Sequence, residues 1–183
     1  MTVPAIDTER LTLRRPVAAD AAAIHRLAAD RRIAEMTAAV PHPYDRSMAE
    51  AWIRSVPAGL EAGRIALATV ERASGELVGV ISISVERERP IGTIGYWIGV
   101  PFWGRGYATE AARAVVEYGF RELGLAEIHG ACLANNPASG RVLEKLGMHH
   151  RGSSVDVVRG DLVAVERYAI VRPEANRGGR LER

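Results

Sequence analysis

The chain of 183 residues holds one cysteine, Cys132, which excludes an intrachain disulfide and any cysteine-built metal cluster. A reducing cytoplasm is the expected setting. The histidines, His25, His42, His129, His149 and His150, show no metal-ligand spacing with carboxylates or with Cys132, so no metal is expected. An excess of one charge is missing too, since 24 basic and 22 acidic residues leave a formal net charge of +2. That is too weak a field for a nucleic-acid or membrane-surface binder, and neither partner is expected. The start, MTVPAIDTERLTLRRP, lacks an apolar signal core, and no apolar run approaches bilayer length, which points to the cytosol. Two nucleotide motifs are absent as well. Gly104-Arg105-Gly106 is not followed by the Gly-Lys of a phosphate-binding loop. A dinucleotide fingerprint would need a third glycine near Thr109, on a strand that opens the domain.

What is present is the make-up of an ordinary globular protein, 48% hydrophobic and 25% charged, without internal repeats. One domain is expected over residues 1–172, with a frayed tail over 173–183. The alternation in Arg10–Pro16 predicts a half-buried strand, and Ala23, Ile24 and Leu27 predict a helix after it. AAVPHPYDRS reads as a loop before a second helix, Ser47 to Leu60, capped by Asp45 or Ser47. GRIALATVER and ELVGVISISVE read as antiparallel strands joined by the turn ASGE, with TIGYWIGV as a third. The face of Ala108, Ala111, Ala112, Val115, Val116, Phe120 and Leu123 predicts a helix over Tyr107–Leu123. AEIHGACLA then completes a strand–helix–parallel strand unit from Tyr96 to Cys132. A short helix follows, entered at Asn136-Pro137 and stopped by Gly147, then an antiparallel pair, SSVDVVRG and DLVAVERYAIV. The expected fold class is α+β: a mixed sheet, mostly antiparallel around one central parallel unit, with helices on both faces.

Three features carry chemistry. Trp103 to Thr109, WGRGYAT, places glycines between a strand and a helix N-terminus, where free N–H groups and the helix dipole favour an anion; geometry alone would also explain the glycines. Val100 precedes Pro101, so it is expected to be extended and to end its strand, leaving Ile98 and Val100 backbone groups to pair with an extended, amide-bearing ligand. Asn136 and Ser139 share a helical face; a cap explains Asn136 as well as a ligand contact does, and close packing explains Ser139. Tyr96 and Trp97 alternate across their strand, so one is expected toward a cleft and the other toward the core.

GYWIGVPFWGRGYATEAARAVVEYGF, followed by NPASGRVLEKLGM, resembles the GNAT superfamily of acyl-CoA-dependent N-acetyltransferases. The branch it is closest to is that of the ribosomal-protein amino-terminal acetyltransferases RimJ and RimL, whose first strand and helix ERLTLRRPVAAD also resembles. The superfamily turn, Gln/Arg-x-x-Gly-x-Gly/Ala, is met at Gly106 and Ala108, with Trp103 in its first position. The resemblance implies acetyl-CoA as cofactor. The N–H groups of Arg105, Gly106, Tyr107, Ala108 and Thr109 would hold its pyrophosphate, with Arg105 and Arg141 adding minor charge. Asn136 would contact the pantetheine arm, and Ser139 would protonate the leaving thiolate.

The implied reaction is direct attack of a neutral primary amine, on a protein N-terminus or a small molecule, upon the thioester within a ternary complex. The Val100 N–H is the expected oxyanion donor. Members of the branch often carry Glu where Thr93 stands, and Thr93 is no base at neutral pH. Glu86, Glu88, Glu110, Asp161 or a water chain are the alternatives. The same fold could serve instead as a non-catalytic acyl-CoA sensor. A homodimer is compatible with either.

Overall fold

The computed structural model describes residues 4–56 and 63–173. The expected tail, from residue 174 on, and the far end of the expected second helix lie outside them. The elements in chain order are β1 (Ile6–Asp7), β2 (Leu11–Arg14), α1 (Ala21–Ala28), α2 (Arg31–Met36), α3 (Arg46–Ser55), β3 (Arg64–Glu71), β4 (Leu77–Val85) and β5 (Ile91–Ile98). They continue with α4 (Tyr107–Arg121), β6 (Glu127–Leu133), α5 (Pro137–Lys145), β7 (His149–Val158) and β8 (Asp161–Val171). The eight strands form one sheet in the order β1-β2-β3-β4-β5-β6-β8-β7. Every neighbouring pair is antiparallel except β5–β6.

Strand alternation sorts the two faces. Ile83 of β4 and Ile128 of β6 meet α4 so closely that a Cβ on Gly119 would come within 3.1 and 2.8 Å of them. Gly130 plays the same part for α5, whose Leu143 would lie 2.7 Å from an added Cβ. On the opposite face Trp97 packs with Ala28, Ile33 and Val40 from the α1–α2 region. Helices therefore cover both faces, and the core between sheet and α4 is built from Ile81, Ile83, Ile94, Val115 and Ile128. Cys132 is buried beside it, and burial pushes its thiol up, as suits a core residue.

Three local expectations change. Helix α2 and the two-residue β1 have no counterpart in the sequence reading; both are too short to show a period, and α2 is set by Asp30, whose carboxylate caps Arg32 N. Asp45, not Ser47, sits at the start of α3, without a side-chain cap bond. Val100 does not extend the strand: β5 ends at Ile98, and Val100–Phe102 form a 3-10 turn closed by Phe102 N–H to Gly99 O (2.9 Å) and Trp103 N–H to Val100 O (3.2 Å). Burial of Phe102 drives this turn, and Pro101, whose ring fixes a helical φ, fits within it.

Candidate active site

β5 and β6 pair over three positions only, Ile91–Glu127, Gly92–Ile128 and Thr93–His129, and then diverge. Gly99 N–H still bonds to Val78 O at 2.8 Å, which sets the phase of the β4–β5 ladder. By alternation Trp97 and Gly95 bond to β4, whereas Ile94, Tyr96 and Ile98 turn their backbone groups toward the gap β6 has left. The Ile98 carbonyl is not free, however, because the Trp103 indole N–H donates to it at 2.6 Å. Trp103 therefore contributes through its side chain as well as its backbone.

The turn after β5 leads to the N-terminus of α4. Gly104 and Gly106 adopt φ of 77° and 83°, the left-handed region that favours glycine. The first helical bond of α4 runs from Glu110 N–H to Gly106 O (3.0 Å), so the N–H groups of Tyr107, Ala108 and Thr109 have no intrahelical partner. Arg10 braces the turn from beneath. Its guanidinium donates to Arg105 O (3.0 Å) and to Glu110 Oε2 (2.7 Å), and it lies 4.9 Å from the Tyr107 ring centre. The Tyr107 side chain points into the core and its hydroxyl donates to Glu71, leaving only its backbone N–H at the turn. Arg105 is exposed over the Phe102 ring at 5.4 Å, and Arg141 is exposed on α5.

Asn136 caps α5, its Oδ1 accepting from Ser139 N–H at 3.1 Å. Its Nδ2 donates to Met36 O at 3.0 Å, tying α5 to the end of α2. One residue thus takes both the cap and a bridging role. Ser139 Oγ lies 2.9 Å from the Tyr96 hydroxyl, a contact across the opening between β5 and β6. Burial pushes the Tyr96 phenol up to about 12, against the opposing pull of the Ser139 hydrogen bond. It stays protonated through the neutral range.

That opening leads into a cavity of about 670 Å³ on the α1–α3 face. Val80, Ser82, Gly95 and Trp97 form its floor, and Met36 to Pro41 with Tyr44 its roof. Val158 and Val165 close one side with Asp156. Trp97 reaches the cavity from the α1 face and Tyr96 through the gap, so both line it. The loop over residues 37–47 and the last two strands supply much of the wall.

The expected bases do not reach this space. Burial would push the Glu110 carboxyl up, but hydrogen bonds from Thr8 and from the Arg10 backbone and guanidinium outweigh it and hold it low. Glu110 is a clasp between α4 and the start of β2. Glu86 pairs with Arg89 on the surface, and Glu88 and Asp161 are exposed. Among the described residues the carboxylate in the wall is Asp156, which the sequence reading passed over. Alternation in SSVDVVRG could have found it, since Asp156 shares the inward side of β7 with Val158. Both its oxygens accept from Arg167 Nη2, at 2.6 and 2.7 Å. No group of three or more potential metal ligands occurs among the described residues.

An open sheet edge running to a helix N-terminus with free N–H groups suits an extended amide chain ending in a diphosphate. Residues 10–149 match the model of the acetyltransferase (GNAT) domain. The chain belongs to the GNAT acetyltransferase family. It is an N-acetyltransferase, and the donor used in this family is acetyl-CoA. The uncharacterized N-acetyltransferase p20 of Bacillus licheniformis is 27% identical over 171 residues, 91% of this chain and 96% of that protein. A GNAT-family acetyltransferase from Bacillus anthracis superposes with a TM-score of 0.80 at 25% identity, over 92% of this chain and 98% of its own. A RimL ribosomal-protein acetyltransferase solved with coenzyme A gives 0.79 at 20% identity, over 92% and 98%. Among the described residues no helix is long and apolar enough to cross a membrane.

Proposed function

We propose that this GNAT chain, acting as one domain over residues 1–172, acetylates a primary amine seated in the cavity on the α1–α3 face. One observation carries the proposal: the Tyr96–Ser139 hydrogen bond lies where the gap between β5 and β6 opens into that cavity. When bound, acetyl-CoA supplies an acetyl group activated as a thioester. The N–H groups from Arg105 to Thr109 would hold its diphosphate, and the Ile98 N–H and Asn136 Oδ1 would serve its amide arm.

The Val100 N–H, at the head of the 3-10 turn, donates to the carbonyl oxygen as negative charge builds there. The ammonium would first give one proton to solvent. The neutral amine then forms the C–N bond, the thioester C–S bond breaks, and the nitrogen sheds its second proton to solvent. The sulfur gains one from Ser139, whose hydroxyl is restored from solvent. The Tyr96 phenol donates to Ser139 Oγ, which leaves the serine proton free to point away. Asp156 holds the incoming ammonium. An α-amino group, with a pKa near 8, sheds its proton more readily than a lysine near 10.4.

The test is release of free thiol from acetyl-CoA across a panel of primary amines, with calorimetric binding of acetyl-CoA alongside. Ser139→Ala should lower turnover about a hundredfold, within the usual range for one proton-transfer group, while binding holds. Turnover equal to the parent would remove Ser139 from the chemistry. Tight binding without thiol release on any amine would overturn the transferase reading.

A further inference from the structure

Resting on that acetyl-transfer reading, we infer that the acceptor is a small primary monoamine on an apolar body, neutral or anionic at its far end. The chemistry of the wall, its anchored roof and its charge each point to this class. The cavity wall is mostly aliphatic and aromatic, with Tyr44, Met48 and Trp52 facing Val80 and Trp97. Burial pushes the Tyr44 phenol up, so it too stays neutral. A volume of about 670 Å³ falls within the span of small-molecule sites, roughly 300–1,000 Å³.

The roof is tied down rather than open. Arg159, in the β7–β8 turn, donates to Ala34 O (2.8 Å), Thr37 O (3.1 Å) and Val40 O (2.6 Å). Asn136 adds its bond to Met36 O from the other side. The anchored roof gives the cavity fixed walls, which suits recognition of a compact ligand.

Charge then selects within the compact amines. Among the described residues the wall offers one carboxylate, Asp156, and one ammonium can use the acceptor capacity that Arg167 and the Ser154 hydroxyl leave. A second ammonium would find Arg64, which also lines the cavity. Arg64 stands opposite Ser84, four residues from Val80 and so roughly 13 Å along β4 from the Trp97 end. Like charges there disfavour a polyamine, and an anionic tail would be drawn to the same guanidinium.

The experiment compares phenethylamine, its para-carboxylate analogue, spermidine and a short peptide with an apolar N-terminal residue. Each is titrated by quenching of tryptophan fluorescence, without acetyl-CoA, and assayed by thiol release. Phenethylamine should bind and react at least about tenfold better than spermidine, and the carboxylate analogue better still. Arg64→Glu should invert the order of the carboxylate analogue and spermidine. Because Arg64 is exposed, that variant should fold, and near-parent affinity for phenethylamine would show that it does. Gly95→Val gives a second check. An added Cβ there meets only Ser82 Oγ at 3.6 Å, so the longer side chain enters the cavity floor and should weaken phenethylamine about tenfold. Preference for spermidine or for the peptide, or an order untouched by Arg64→Glu, would overturn the inference. Binding in the expected order without thiol release on any amine would support the acceptor class and defeat the transferase reading.

Discussion

At the scale of single residues, the hydrogen bond between the Tyr96 and Ser139 hydroxyls joins β5 to α5 across the gap that β6 leaves. Tyr96→Phe keeps the ring in its packed position and removes one oxygen. Turnover should fall about tenfold with the KM for acetyl-CoA unchanged, whereas a purely structural role would move Tm instead. Asn136 can be dissected with two variants. Asn136→Ala loses the cap and should cost about 1 kcal/mol in urea unfolding. Asn136→Asp keeps an acceptor for Ser139 N–H but removes the donor to Met36 O, so stability should hold while the roof of the cavity loosens. A loss of stability equal to that of the alanine variant would show that the bridge to α2, not the cap, is what matters.

Asn136 and Ser139 were visible in the sequence because a helix start and a three-residue spacing are local facts. Tyr96 was visible only as one of two alternatives. Its partner is 43 residues away, and strand alternation fixes that two side chains diverge without fixing which meets α5. Asp156 was missed for the same reason: its meaning depends on a cavity assembled from segments spread between Ile24 and Val165.

At the scale of elements, the decisive piece is the turn from Gly99 to Gly106. Its glycines were legible as a special backbone, and both positive φ values bear that out. The route of the chain was not. The residue before a proline is biased toward extension, but here burial of Phe102 overrides that bias and folds Val100 into a tight turn. Gly106→Ala would place a Cβ on a left-handed backbone 3.4 Å from Arg10 Nη2. It should cost about 1 kcal/mol in thermal or urea unfolding and weaken acetyl-CoA binding in calorimetry. Parent-like binding in that variant would mean that the N–H groups of the turn do not hold the ligand. The clasp of Arg10 on Glu110 and Arg105 O was out of reach of the sequence, since it spans about a hundred positions.

At the scale of the whole molecule, an ion pair on a buried carboxylate ties stability to pH. Burial would push the Asp20 carboxyl up, but the two-pronged Arg14 guanidinium, at 2.8 Å to each oxygen, and Val17 N–H outweigh it and hold it low. A carboxyl lowered on folding contributes stability above its unfolded value, near 3.9, and loses it as pH falls through the folded value. Unfolding titrations should therefore show Arg14→Met converging toward the parent below about pH 4. At neutral pH the same variant should be weaker by on the order of 3 kcal/mol, because it leaves a buried carboxylate unpaired. An equal deficit at both pH values would mean that lost packing of Arg14, not charge, is responsible.

The strand order carries a consequence for how the chain is made. β1 to β5 are neighbours in sequence as well as in space, and every pairing among them is antiparallel. Only three rungs then join them to β6, β8 and β7. A ribosome adding about 5–20 residues per second would complete the whole of the first group before it begins the second. The early meander can settle through nearby contacts, with α4 laid over it next. The later strands then dock against a finished edge along one short seam, and the divergence beyond Thr93 is the stretch of that edge they never cover.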